Sequence, residues 1–430
     1  MRYKLVIILT LNLLFSQAIF NRFIGDDSFS GSTRSTSMGS THLLSSDLNS
    51  IVRFNPSKLS QLNSGFSISS QMINSTLFER KTNIFKDSFG DFLTEGDYVW
   101  NDNSYTNYTG SIAYTVPLEE QSIGIGVSYY QLTNFNFNYE EEVRDKYSAD
   151  DGEQAIRDPF AGYHVLSTKG EVYAVGYGVG WQYSDELFSV GIGHSMNNIS
   201  KFELYEFMHV DTMYADVSNL SNIPSYNLTT SINPSNSLFT SSTIQFTYMN
   251  RFSCSIGIES KKQITVLPLN YDIDSLNGLY NFINTDTDST YYSVRGLNYV
   301  KPGKLSLEFM LISPHINPIS IVLGYDKLDY DEVDITQWKF GFEYLSPNKI
   351  PIRGGVLYSF SPIFSLAPKT TFSIGSGFRY NQLEFSYGVT YNLYNYSYPD
   401  LFPVSGDVRE DYDSVYESKL KLLFSLIYNF

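Results

Sequence analysis

The sequence predicts an all-β fold, a transmembrane antiparallel barrel of about fourteen strands, and three observations carry that prediction. Apolar residues recur with period two, as where Tyr173, Val175, Tyr177, Val179 and Trp181 alternate with Ala174, Gly176, Gly178, Gly180 and Gln182; this is the period of a strand with one apolar face. The alternate positions are filled by Gly and Ser more than by Lys and Glu, unlike the polar face of a soluble sandwich. Charged residues make up 17% and aromatic residues 16% of the 430. Soluble domains carry about a quarter charged residues, whereas a wall facing lipid exchanges charge for Tyr and Phe. Other classes are excluded. A chain this rich in aromatic surface is not disordered, and no internal apolar run reaches the roughly 18 residues of a membrane helix. A net charge of 29 − 45 = −16 without a basic stripe repels nucleic acid.

Residues 1–18 read as a secretory signal peptide. Arg2 and Lys4 form its charged start, Leu5 to Phe15 its apolar stretch, and Ser16-Gln17-Ala18 a small-x-small cleavage site. Export is expected to leave a chain starting at Ile19 in the outer membrane of a Gram-negative-type bacterium. Cys254 is the single cysteine, so neither an internal disulfide nor a thiolate metal cluster is expected. Residues 19–63 are polar, Ser-rich and poorly periodic. A lumen fourteen strands around would leak solutes if open, so this segment is expected to fold inside as a plug, with Arg34 and Arg53 paired to inward carboxylates such as Glu203, Glu259, Glu343 or Glu384. Asn55-Pro56 would turn the chain into the first strand.

The barrel is expected over 64–430, with strands at 64–72, 108–116, 122–139, 170–183, 187–204, 242–249, 252–266, 304–313, 318–330, 335–345, 350–360, 369–380, 382–396 and 417–430. Long connections (73–107, 140–169, 205–241) alternate with tight turns. Strand-like residues 291–301 are assigned to a long external loop, 267–303, because an odd strand would break that alternation. Parity places Lys201, Glu203, Glu259, Glu343, Arg353, Arg379, Glu384, Lys419 and Lys421 inward, as salt bridges holding the plug or as groups lining the lumen. It places Cys254, in the row Phe252, Cys254, Ile256, Ile258, toward lipid. The last strand alternates Leu420, Leu422, Phe424, Leu426, Tyr428 and Phe430 with mostly polar residues. An alternating end with a terminal Phe resembles the signal read by the outer-membrane barrel assembly machinery, a partner this implies through Leu426, Tyr428 and Phe430.

The N-terminal segment carries a second resemblance. Gly31 to Thr41 reads GSTRSTSMGST, followed by Asp47-Leu-Asn-Ser and Phe54-Asn55-Pro56-Ser57-Lys58-Leu59. This order, a small-Arg-small stretch, Met-Gly, an acidic-small run and Asn-Pro-small-Lys-Leu, resembles the FadL-like outer-membrane proteins, in particular the PorV/PorQ branch. It departs where Ser40-Thr41-His42 follow Gly39 and where Ser57 replaces Ala, both small-for-small changes. The resemblance implies a fourteen-stranded barrel with a lumenal plug in which Arg34, Met38, Gly39, Asn55 and Pro56 form the plug and ligand path. It further implies either passage of hydrophobic small molecules or, in the PorV branch, service to secretion-system proteins of type IX.

No constellation points to chemistry. His42, His164, His194, His209 and His315 show no metal-ligand spacing, and His164 near Asp158 and Ser167 lacks a nucleophile elbow. Glu140 to Glu142, Asp145, Asp150, Asp151, Glu153 and Asp158, like Asp400, Asp407, Glu410, Asp411 and Asp413, read as solvated acidic rims facing lipopolysaccharide through divalent ions, because the EF-hand order is missing. Phe23, Phe29, Phe78, Phe85 and Phe92 are candidates for an apolar ligand path. The expectation is a passive conduit for small hydrophobic compounds, with no cofactor and no enzymatic step, in which loops 73–107 and 205–241 capture ligand and 19–63 gates. The alternative is a PorV-like secretion component.

Overall fold

In the computed structural model, residues 31–45, 47–86, 89, 91–144, 160–183, 188–199, 202–210, 227–232, 237–248, 251–265, 298–329, 334–360, 368–399 and 412–430 are described. The expected signal peptide, Phe23, Phe29 and Lys201 lie outside them. Two short helices come first, α1 (Thr33–Ser37) and α2 (Leu48–Phe54), then a 3-10 turn (Pro56–Gln61). The strands follow in chain order: β1 (Gly65–Lys86), β2 (Phe92–Leu118), β3 (Gln121–Asn134), β4 (Phe137–Arg144), β5 (Phe160–Lys169), β6 (Glu171–Tyr183), β7 (Phe188–Ile199), β8 (Phe202–Val210), β9 (Asn227–Ile232) and β10 (Ser237–Tyr248). Next are β11 (Phe252–Glu259), β12 (Lys262–Thr265), β13 (Asn298–Lys301), β14 (Gly303–Ile312), β15 (Ile319–Asp329), β16 (Asp334–Leu345), β17 (Pro351–Ser359), β18 (Lys369–Tyr380), β19 (Leu383–Pro399) and β20 (Tyr412–Asn429).

Fourteen of these strands close an antiparallel barrel in the order β1-β2-β3-β6-β7-β10-β11-β14-β15-β16-β17-β18-β19-β20, and β20 returns to pair with β1 from Ser67↔Asn429 to Thr82↔Ser414. The alternation has its physical cause in the two faces. Ile125, Val127, Val179, Ile192, Ile244, Ile256, Leu323, Phe340 and Ile374 point out, while Ser128, Ser189, Ser255, Ser306, Ser373 and Ser386 are buried on the inside. Aromatic rings collect toward the two ends of the apolar band, Trp181 with Tyr183 and Phe188 at one end and Tyr325 with Trp338 or Tyr129 with Tyr173 at the other. Tyr173 and Tyr183 are ten residues apart on β6. At about 3.4 Å per residue and a tilt near 40°, that separation is roughly 25 Å, the height of a lipid-facing band.

The expected connections are corrected in four places. Residues 73–107 are not a loop, because β1 and β2 continue into them, pairing from Ile73↔Asn107 to Lys86↔Phe92. Beyond the membrane no lipid demands an apolar outer row, so the hairpin stays paired while its sequence period fades. The expected strand 122–139 breaks at Phe135-Asn136, and 187–204 divides between β7 and β8. Their outer parts, with residues of the expected loops 140–169 and 205–241, form a four-stranded sheet, β4-β5-β8-β9. Glu203 therefore stands on β8 in that sheet and not in the barrel wall. Lastly, β12 separates from β11 and pairs with β13, so the end of the 291–301 segment forms a separate two-stranded sheet.

The chain end seals the seam. Phe430 N–H donates to the Phe66 carbonyl at 2.9 Å and its ring meets Tyr428 edge-on at 4.7 Å, while Leu426 points outward. Removing Phe430 is expected to lower the yield of heat-modifiable barrel in the membrane fraction. An unchanged yield would remove the assembly-signal reading of Leu426, Tyr428 and Phe430.

Candidate functional site

Residues 31–62 pack against the inward face of the wall. The local chemistry that folds them is short-range: Ser32 caps α1 by accepting from Ser35 N–H at 3.2 Å, Asp47 caps α2 by accepting from Asn49 N–H at 3.0 Å, and Pro56 starts the 3-10 turn. Two small apolar cores then fix the segment to the wall. Leu48, Ile51, Val52 and Leu59 pack with Ala113 of β2 and Ile427 of β20, and Met38, Leu43 and Leu44 pack with Val322 of β15.

The motif residues meet the wall directly. Arg34 donates to both oxygens of Glu343, at 3.0 and 2.6 Å, and Arg353 shares that carboxylate at 2.6 Å. Gly39 has φ +67° and lies where a Cβ would overlap the Phe340 and Val356 carbonyls, so neither the backbone angle nor the space admits a side chain. Its N–H donates to Ser373 Oγ at 3.0 Å, and the same hydroxyl donates to the Ser37 carbonyl at 3.1 Å. Asn55 Nδ2 donates to the Leu43 carbonyl at 2.6 Å, Ser57 N–H to Thr243 Oγ1 at 3.1 Å, and Thr115 Oγ1 to the Leu59 carbonyl at 2.8 Å. Pro56 sits against Gly178, Gly180 and Gly191.

A charged cluster joins this segment to β11, β13, β14, β15 and β16. Asp326 pairs with Lys304 at 3.0 Å and Lys339 at 2.5 Å, and Glu259 pairs with Lys301 at 3.1 Å and Arg53 at 3.8 Å. Glu308, 4.0 Å from Lys339, accepts the N–H groups of Leu43 and Leu44 at 2.9 and 2.8 Å. His42 stacks on Phe54 at 4.4 Å, and the Arg53 guanidinium lies 4.4 Å from the same ring. Burial, reinforced by Lys339, Lys304, Arg53 and Lys421, holds His42 well below its ordinary value, so the stacked ring is neutral. Burial likewise pushes the Asp47 carboxyl up to about 6 and brings the Lys58 ammonium down to about 7.

Of the other expected lumenal charges, Lys419 is buried with Nζ 6.0 Å from the Tyr105 ring, and Lys421 is buried. Arg379 and Glu384 are cross-strand neighbours, with Arg379 exposed and Glu384 half-buried. Among the described residues no group of His, Cys, Asp and Glu is placed to hold a metal. Sequence reasoning missed Lys304, Glu308, Asp326 and Lys339; the signal was there, since each alternates with outward residues such as Leu305, Phe309, Tyr325 and Phe340.

Beyond the segment the buried residues are mixed. Ile73, Leu77, Val99, Tyr130, Leu132, Phe135, Phe137, Tyr139, Val172, Tyr396 and Val415 are buried on or beside β1 to β4, β6, β19 and β20, interleaved with buried polar and charged residues that include Gln71, Ser75, Glu79, Lys81, Asn103, Asn107, Asn134, Glu417 and Lys419. Tyr130 ties the two levels together, its ring 5.5 Å from the Arg53 guanidinium and its hydroxyl 2.8 Å from Ser195 Oγ. Two rings expected in a ligand path are elsewhere: Phe78 and Phe92 point outward, 40% and 62% exposed. An apolar notch of about 560 Å³ at Gly354 is lined mainly by outward residues, including Phe342, Ile352 and Ile374, and so faces the lipid side.

The architecture matches solved structures across nearly the whole chain. A FadL homologue of Pseudomonas aeruginosa is 12% identical, with 93% of this chain and 98% of that chain covered at a TM-score of 0.59. The fold is FadL-like. The P. putida toluene transporter TodX (12% identity, 94% and 99% covered, TM-score 0.55) and the Ralstonia pickettii toluene transporter TbuX (11%, 96% and 100%, 0.54) share it. No protein-family model matches the chain, and no curated protein matches it. At these identities the FadL-like likeness is one of fold.

Proposed function

We propose that this protein is an outer-membrane conduit through which small hydrophobic compounds pass without chemical change. The observation that carries the reading is the FadL-like barrel fold, together with the buried apolar and aromatic side chains of Tyr130, Leu132, Phe135, Phe137 and Tyr139 near the charge-tied segment. A water-filled porin lumen is polar along its length, whereas a site for an apolar small molecule needs contiguous apolar and aromatic surface with few polar groups. Two of the proteins sharing that fold are toluene transporters by name. The secretion-component role implied by the N-terminal motif draws no support from these neighbours.

The test is accumulation of radiolabelled toluene by cells producing the protein, compared with cells producing the Leu132→Asp and Phe137→Asp variants. Faster accumulation with the wild type, lost in both variants at equal amounts of folded barrel, is expected. Equal accumulation with and without the protein would overturn the conduit.

A further inference from the structure

We propose that residues 31–62 are a fixed part of the wall, and that the barrel works without this segment leaving its seat. What passes rests on the conduit reading above; the immobility rests on contacts alone. A plug built to leave would meet the wall through solvated side chains. Here the backbone is set into glycines. Ser37 to Gly39 lie on Gly341, Gly355, Gly375 and Gly388, one from each of β16, β17, β18 and β19, and a Cβ at any of them would overlap Met38, Gly39 or the Ser37 side chain. Pro56 to Ser60 lie in the same manner on Gly124, Gly180 and Gly191 of β3, β6 and β7.

The two seats are on opposite sides of the barrel. Along the closed order, β7 and β16 are separated by β10, β11, β14 and β15, and β19 and β3 by β20, β1 and β2. The segment therefore spans the lumen from wall to wall. Between the seats, Glu308 of β14 accepts the Leu43 and Leu44 N–H groups, and hydroxyls of Ser373, Thr243 and Thr115 hold the ends. Withdrawal would have to break both glycine seats and this tie together, and backbone packed this closely tolerates little displacement. The permeant's path then runs beside a stationary segment.

The experiment locks the segment. Ser37→Cys/Gly388→Cys, in a Cys254→Ser background, places two Cβ atoms 3.5 Å apart, within the roughly 3.5–4.5 Å that a disulfide spans. Ser57→Cys/Thr243→Cys, where Ser57 N lies 3.1 Å from Thr243 Oγ1, locks the other seat should the first pair fail to assemble. The expected result is near-complete disulfide in the folded barrel, with toluene accumulation and ionic conductance in planar bilayers the same before and after reduction. A loss of about tenfold or more in accumulation on oxidation, restored by reduction, is the behaviour of a moving gate and would overturn the proposal. So would large conductance openings confined to the reduced form, or a folded barrel that does not cross-link. If the wild type accumulates no toluene, the conduit reading fails while cross-linking and conductance still decide whether the segment is fixed.

Discussion

Asp326→Asn is expected to lower the unfolding free energy of the barrel by about 3–5 kcal/mol. The carboxylate is fully buried and receives Lys304 at 3.0 Å and Lys339 at 2.5 Å. Asn keeps the shape and removes the charge, so packing is nearly constant and the loss reports two ammonium groups left without their shared partner in a site with little water. The cluster is already uneven, with Arg53, Lys301, Lys304 and Lys339 facing Glu259, Glu308 and Asp326. Replacing Asp326 and Lys339 together by Leu and Met should recover much of the loss, because a buried pair exchanged for apolar residues is often neutral. Asp97→Asn is the control: its partner Arg80 is 3.3 Å away, but both are about 40% exposed, and such a pair contributes about 0–1 kcal/mol. Urea titration followed by heat modifiability on gels reads all four proteins. A change at Asp326 no larger than that at Asp97 would remove the cluster from the account of stability.

The barrel was legible in the sequence because lipid on one side and a crowded lumen on the other impose period two on every spanning strand. Val179 and Phe340 point out and Ser128 and Ser373 point in, as parity requires. Legibility ends where the lipid ends. In β1 the row Asn74, Ser75, Thr76 to Glu79, Arg80, Lys81 has no apolar face, yet its backbone remains paired with β2 and β20, so a segment read as loop is strand. The same loss of pattern joined β7 to β8 and carried Glu203 into the wall by parity, when the chain had already changed sheets. Phe78 and Phe92 failed for the converse reason, since rings assigned to a loop were free to point inward but rings on a strand take the side their position dictates.

The lumenal segment was legible only by motif. Arg34, Met38, Gly39, Asn55 and Pro56 stand in the motif, but their partners Glu343, Ser373, Gln245 and Gly191 come from distant strands, and only strand order and register bring them together. The inward glycines show the limit well. In sequence, Gly341 and Gly355 are small residues lining a lumen; in the structure they make room for the Met38-Gly39 backbone. No local pattern distinguishes a glycine that leaves space for water from one that leaves space for another part of the chain.

Charge placed on the outer face should cost in proportion to depth. Phe340 is 41% exposed on the outer row of β16 and five residues from Leu345, where the strand ends. At about 3.4 Å per residue and a tilt near 40°, that sets it roughly 13 Å from that rim and about 5 Å inside Trp338 of the other belt, within the apolar band. Phe340→Arg is therefore expected to destabilise the barrel by about 2–4 kcal/mol. Val175 is equally outward, 46% exposed, but eight residues from Tyr183 on β6, about 21 Å by the same geometry and close to the opposite rim. There the Arg side chain can reach the headgroups, and Val175→Arg should cost nearer 0–1 kcal/mol. Folding titrations of both variants in lipid vesicles measure the difference. Equal costs at the two sites would mean that the membrane does not sit where the aromatic belts place it, and a negligible cost at Phe340 would mean that this row does not face lipid.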